Sequence, residues 1–454
     1  MTPLAVLLAA AVSIDGEAAL RHASALAALG PHPWGSPRAA AAAEYVAAHF
    51  REAGLQDVRL QAFEAGGKRG VNAIGVLRGS AAEFIVVGGH HDSAPAAPAA
   101  YDDGGGIGVI IEAARVLARR GARARTIVFA SWDGEEAVGG LTTTGSRAYV
   151  RSLGPDARNL VAALDVEMCG WKGGHPVLHP IAYADPLGPR PYVIAPGWLV
   201  SAALDGARGN QAALGVGDPI IPWLYQAATR TLRVRLYGDD LSFLQSGLPA
   251  VFMSDSSFTA FYPWYHQATD TPDKIDAASL ARTGAAVLGI LQQLDGVRRG
   301  PASEPTWFVV AGRTAGATLL LALAALSVVP GIVAGFKVGG WTQTARLMQA
   351  GLFAFLFWRH PVPALWAFLL PNLVGGLRPR RWLMPAALLP LVALIVLGIA
   401  AWTRGFAGGL WLDPTDLLVA AAALVLLWTA ARAPAARPRP ARAAAPARAA
   451  ARRR

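Results

Sequence analysis

Short aliphatic and β-branched runs alternate with helical patterns up to the linker at Gly300 and Pro301, and that alternation restricts the possible folds more than any other feature. Phe84–Val87, Thr126–Ala130 and Leu160–Leu164 read as strands, with Ile107–Leu117 and Ser146–Arg151 as helices between them. Pro37–Ala53 reads as an Ala-rich amphipathic helix stopped by Gly54. Leu248–Met253 returns to a strand pattern, and Ala277–Leu294 reads as a closing helix. Parallel strands need a crossover, usually helical, so the fold class expected is α/β. It has a mixed, mostly parallel central sheet flanked by helices.

The chemistry-bearing residues follow the strands. His90 closes one run, Glu135 and Glu136 follow a second, and Asp165 and Glu167 end a third. In open α/β sheets, sites gather beyond the carboxyl ends of strands. Two imidazoles, several carboxylates and an adjacent Glu pair are what two neighbouring divalent cations and a general base require, which implies metal-assisted hydrolysis. Asp102, at the mouth of the Gly104–Gly106 run, is the bridging candidate. His90 and His266 supply one nitrogen to each ion, and Glu136 and Glu167 supply terminal carboxylates. Asp92 holds the His90 imidazole from the ring nitrogen facing away from metal. Glu135 is the base for the shared water.

The motifs G-G-H-H-D-S (Gly88–Ser93), Y-D-D-G-G-G (Tyr101–Gly106), D-G-E-E (Asp133–Glu136), L-D-V-E-M (Leu164–Met168) and Y-H-Q-A-T-D-T-P-D (Tyr265–Asp273) occur in one order. Their order and wording resemble the leucyl aminopeptidase and aminopeptidase Y type of di-zinc exopeptidase (clan MH), whose relatives include glutamate carboxypeptidase and glutaminyl cyclase. The resemblance runs from G-P-H-P-W-G-S-P at Gly30 through Asp276. The first ligand motif matches His90 with Asp92, the bridging acid Asp102, the base and ligand pair Glu135 and Glu136, and the last ligand His266. The fourth ligand, an acid before Met, selects Glu167, with Asp165 as the alternative on the same side of a strand. Gly238–Ala250 looks like the S-D-H-x-x-F segment, with Asp240 in the place of the usual His. The resemblance implies a zinc exopeptidase fold with two Zn2+ per chain and a peptide substrate; mixed carboxylate and imidazole ligation also tolerates Mn2+ or Co2+. An aminopeptidase is the first reading. A carboxypeptidase, with Arg230, Arg233 and Arg235 as a loose cationic clamp, a glutaminyl cyclase, and a non-catalytic receptor or assembly ectodomain are the alternatives.

Several weaker patterns receive plainer readings. His175 and His179 are spaced for a shared helix face, but Pro176 and Pro180 make them loop residues. Asp270, Asp273 and Asp276 stabilise the His266 loop and the start of the next helix. Residues 171–237 are expected to form loops and a helix or two that wall the pocket. The single cysteine, Cys169, excludes an intrachain disulfide and reads as packing.

The 454-residue chain carries a formal charge of +11, of which the eight arginines from Arg432 to Arg454 supply eight. Only +3 remains elsewhere, so the basicity belongs to an Ala/Pro/Arg tail and gives no case for nucleic acid. From Trp307 onward, apolar runs near spanning length recur, as at Ala315–Ile332 and Leu383–Trp402, with a shorter one at Leu417–Ala431. The expected organisation is residues 1–16 as a degenerate signal or first helix, 17–296 as the exopeptidase-like domain and 297–306 as a linker. Residues 307–432 follow as an all-α transmembrane domain, and 433–454 as a disordered tail. Arg359, His360 and Pro361 interrupt one apolar stretch, which is either one broken span or a hairpin. With the tail, Arg378, Arg380 and Arg381 inside, the hairpin places the first domain outside the cytoplasm; that arrangement satisfies more charges.

Overall fold

The computed structural model describes residues 12–136, 141–183, 192–216, 238–256, 262–302, 307–310 and 313–316. An antiparallel hairpin of β1 (Gln56–Ala65) and β2 (Lys68–Leu77) forms one edge of an eight-stranded sheet. β4 (Thr126–Trp132), β3 (Phe84–His90), β5 (Leu160–Val166) and β10 (Ala250–Ser254) follow in that order and run parallel to one another. β6 (Val177–His179) and β9 (Gly215–Val216) complete the far edge. Two antiparallel pairs stand outside this sheet, β7 (Ile181–Tyr183) with β8 (Tyr192–Ile194), and β11 (Trp307–Val310) with β12 (Arg313–Gly316).

Both faces of the central strands are buried. In β3 the side chains of Ile85 and Val87 enter the larger core, while Val86 enters the opposite one. The larger core is closed by α1 (Gly16–Ala27), α2 (Pro37–Glu52), α3 (Gly106–Ala118), α5 (Gly197–Gly209) and α7 (Ala277–Gly296). The other face is covered by α4 (Thr144–Leu153) and α6 (Asp240–Gln245), where Trp132, Tyr149 and Phe243 pack together. The observed class is therefore a mixed α/β domain, four of whose seven strand pairings are parallel.

Helix starts follow ordinary capping chemistry. Ser36 caps α2 by accepting from Ala39 N at 3.1 Å, with Pro37 in the first turn, and Gly54 at φ +86° follows its end. Asp276 caps α7 by accepting from Ser279 N at 2.7 Å.

Two expectations are corrected. Trp307 was expected to open a helical domain, but the β-branched and aromatic residues there form β11, paired with β12. Thr314 Oγ1 donates to the Gly197 carbonyl at 3.0 Å, tying this pair to the start of α5. His179 was expected in a loop; it lies in β6, paired with Phe252 of β10. Among the described residues no helix is long and apolar enough to cross a membrane. The expected spans, the tail, residues 1–11 of the N-terminal segment, and Arg230, Arg233 and Arg235 lie outside the described residues.

Candidate metal centre

The register pairing Gly89 with Ser131 and His90 with Trp132 brings the ends of β3 and β4 level. His90 is therefore held beside the segment Asp133–Glu136 that leaves β4. Its Nε2 lies 3.3 Å from Asp102 Oδ1. His266 Nε2 lies 3.3 Å from Asp102 Oδ2 and 3.0 Å from Glu136 Oε1. Asp102 thus presents one carboxylate oxygen to each imidazole. Two ligand atoms on one tetrahedral zinc, each about 2.0–2.1 Å from it, stand roughly 3.3 Å apart. The observed separations match that span, and His90, Asp102 and Glu136 each offer an atom within 4.8 Å of the others. The donor set fits zinc.

Asp92 acts differently from the expectation. The His90 Nδ1 contact, at 2.9 Å, is with the Asp92 backbone carbonyl, while the nearer carboxylate oxygen is 3.7 Å away. The carboxylate instead accepts from Glu135 N at 3.1 Å and Glu136 N at 3.2 Å, one oxygen for each amide. A short acid two residues beyond a strand end is nearer the neighbouring strand's exit than its own imidazole. It fixes the backbone of the Glu pair, and Glu135 O also accepts from Thr142 Oγ1.

Asp102 sits in the π-helical turn Ala100–Gly105 that leads into α3. Gly105 abuts the Cys169 carbonyl with no room for a Cβ, so the glycine run serves close approach to the segment after β5. Asp103 Oδ1 accepts from Gly106 N and Met168 N, both at 3.0 Å, joining this turn to the residue after Glu167. Asp270 accepts from Tyr101 N at 2.9 Å, Asp102 N at 3.3 Å and the Tyr262 hydroxyl at 2.9 Å. Asp255 accepts from the Tyr101 hydroxyl at 2.7 Å and from Gly170 N and Trp171 N. Asp270 was read from the sequence as a support of the His266 loop, and it is one. Asp103 and Asp255 were not read as parts of the site, although Asp103 stands in the Tyr101–Gly106 motif.

Glu167 and Asp165 lie side by side, each 3% exposed. Glu167 Oε1 accepts from Asp239 N at 3.2 Å, and its atoms group with those of Asp165 and Asp239. His266 and Met168 have positive φ, +60° and +48°, a conformation that costs non-glycine residues energy and clusters at functional sites. Of the remaining histidines, His91 bonds Ser131 Oγ at 2.7 Å, and burial pushes its pKa down to about 3. His175 is exposed, whereas buried His179 bonds Ser254 Oγ and the Ser256 carbonyl, so the two form no shared site. Cys169 is buried in the larger core.

The electrostatics follow the geometry. Burial alone lowers the His90 pKa, but the bond to Asp102 and the charges of Glu167 and Glu135 raise it well above its usual value. Burial likewise opposes protonation of His266, yet Asp102 and Glu136 lift it to about 10. Asp102 is held below the carboxylate range by those imidazoles, against the cost of burial. Glu135 is raised well above its usual value by burial, reinforced by Glu136, Asp239 and Asp92.

An α/β sheet with imidazoles and carboxylates converging beyond its strand ends defines the class of metal-binding α/β domains. Residues 72–291 match the model of Peptidase family M28. A Mycobacterium tuberculosis protein named "Probable lipoprotein aminopeptidase LpqL" is 28% identical over 232 residues, 46% of this chain and 42% of that protein. Leucine aminopeptidase 1 of Pyrenophora tritici-repentis is 37% identical over 110 residues, 22% of this chain and 27% of that one. The matched stretches span less than half the length of these curated relatives. Among solved structures, BSAP, a zinc aminopeptidase from Bacillus subtilis, is 14% identical with a TM-score of 0.49, covering 61% of this chain and 94% of that one. The family match takes in His90, Asp102, Glu136, Glu167 and His266.

Proposed function

We propose that the chain is a membrane-anchored, co-catalytic di-zinc aminopeptidase that releases N-terminal residues from peptides. The observation that carries this reading is Asp102, whose two carboxylate oxygens each face a different imidazole at 3.3 Å. A bridging acid needs that arrangement. In this reading His90 and Glu167 serve one ion, Glu136 and His266 serve the other, and Asp102 serves both. When bound, zinc supplies Lewis acidity toward the scissile carbonyl and makes water a better nucleophile at neutral pH.

The chain's own groups do the rest. Glu135 takes the proton of the attacking water and returns it to the departing amine. Asp92 holds Glu135 and Glu136 by their amides, so the base and a ligand keep a fixed separation. Asp270 ties the His266 loop to the backbone of Asp102.

The organisation proposed is a catalytic domain over residues 17–296, a linker over 297–306, a helical membrane part within residues 307–432 and a basic tail over 433–454. The apolar runs beyond Trp307 and the Arg-rich tail support anchoring with the catalytic domain outside the cytoplasm.

Hydrolysis of free and amino-blocked peptides by the full chain tests the reading, with chelator and then with restored zinc. Zinc-restorable release of N-terminal residues from unblocked peptides only is expected. Glu135→Gln should keep its zinc and lose about 10²–10⁴-fold in turnover. A zinc-loaded chain inert toward every peptide would move the reading to a receptor or assembly role. Release from blocked peptides alone would move it to a carboxypeptidase.

A further inference from the structure

β4 lies between β3 and β2 in the sheet, and the segment Asp133–Glu136 leaves its end. Asp92 reaches that segment from the β3 side. From the β2 side it is met by Asn72, a side chain 0% exposed that lies outside the five motifs. Backbone pairing of β2 with β4 runs from Leu77 opposite Ile127 to Ala73 opposite Ser131 and goes no further. Beyond it a side chain enters each bond. Asn72 Oδ1 accepts from Asp133 N at 3.1 Å, and Val71 N donates to Asp133 Oδ2 at 3.0 Å.

The nitrogen of the same amide reaches the far foot of the Glu135 segment. Asn72 Nδ2 donates to the Gly145 carbonyl, in the first turn of α4, at 3.0 Å, and to Gln61 Oε1 of β1, also at 3.0 Å. A Cβ at Gly145 would collide with Asn72 Oδ1 and the Asp133 carbonyl, so glycine lets the two feet and the amide meet. Between the feet, Thr144 N donates to the Gly134 carbonyl at 2.8 Å and Thr143 N to the Glu135 carbonyl at 3.2 Å. This geometry requires one buried group that accepts on one side and donates twice on the other. A carboxylate has no hydrogen to donate and a hydroxyl has one, whereas an amide has two and a carbonyl as well.

We propose that Asn72 is a positioning residue for the hydrolysis: it pins Asp133 to Gly145 and thereby sets where the Glu135 carboxylate stands. The inference rests on the peptidase reading, in which Glu135 is the base.

The test compares Asn72→Ala and Glu135→Gln, alone and combined, in the zinc-loaded full chain. Asn72→Ala is expected to lower kcat by up to about 10²-fold with KM and zinc content unchanged. In the Glu135→Gln background it is expected to cost nothing further, because a misplaced base and an absent one are the same loss. An unchanged kcat, or the same fold-loss in both backgrounds, overturns the proposal: Asn72 then serves only the fold. Hydrogen exchange read by mass spectrometry gives a measure apart from activity, with faster exchange expected in peptides covering Asp133–Glu136 and Gly145 and not in those covering β3 and β5. If Asn72→Ala does not fold, Asn72→Asp keeps the size and the acceptor for Asp133 N while losing the donor to Gly145, and reads the same effects. Should the zinc-loaded wild type hydrolyse no peptide, the peptidase reading falls and the exchange alone decides. Acceleration confined to those peptides supports the hold on the Glu135 segment; unchanged or uniformly faster exchange overturns it.

Discussion

Asp102 owes its backbone position to a residue 168 places along the chain. Asp270 uses one carboxylate to hold the amides of Tyr101 and Asp102 and the hydroxyl of Tyr262, so the loop bearing His266 and the turn bearing Asp102 are set together. Asp270→Asn keeps the size but turns an amide donor toward backbone donors. Zinc affinity is expected to fall about 10–100-fold, as for other residues that orient ligands, when read by competition with a chromophoric chelator. Asp273→Asn, at an exposed side chain in the same loop, should leave affinity unchanged. Equal affinity in the two variants, with equal thermal midpoints of the metal-free forms, would remove Asp270 from a positioning role. The acids and histidines brought together here were legible because their identities and order are written in short motifs. The bonds of Asp103 to Met168 and of Asp255 to Tyr101 were not, because each joins distant segments and no local spacing encodes it.

At the scale of elements, β3, β4, β5 and β10 were readable because both faces of each are buried and the runs are uniformly apolar. β1 was not. Asp57, Arg59, Gln61 and Glu64 stand exposed or half-buried along it, and only Phe63 is buried, so it is an edge strand held by backbone pairing to β2. β6 was hidden by its shortness and its flanking prolines. It carries a pH-dependent contact: His179 is buried at its end, and its pKa is depressed to about 4 from 6.5, chiefly by burial. Above about pH 6.5 both folded and unfolded states hold this ring neutral, and its contribution is fully present. Between 6.5 and about 4 the unfolded state binds the proton and the folded state does not, so stability falls as pH falls, by at most about 3 kcal/mol. His179→Gln should show a shallower loss of urea midpoint across that window than wild type. Parallel slopes would assign the pH dependence elsewhere.

For the whole molecule, the sequence divides at the Gly300–Pro301 linker into a part with mixed polarity and a part dominated by apolar runs. The compact unit Met1–Thr318 ends shortly beyond that linker, with β11 and β12 inside it. Protease added to intact cells producing the full chain is expected to cut the catalytic domain, while the Arg-rich tail becomes accessible only after lysis. Resistance of the catalytic domain until lysis would place it on the cytoplasmic side instead. The clamp made by Asp92 bears on how such a domain works as a body. Glu135 and Glu136 hang from the strand that carries His90 as well as from their own, so a force on either strand end displaces ligand and base in step. His90, Glu135 and Glu136 are therefore coupled as one rigid insert at the strand ends.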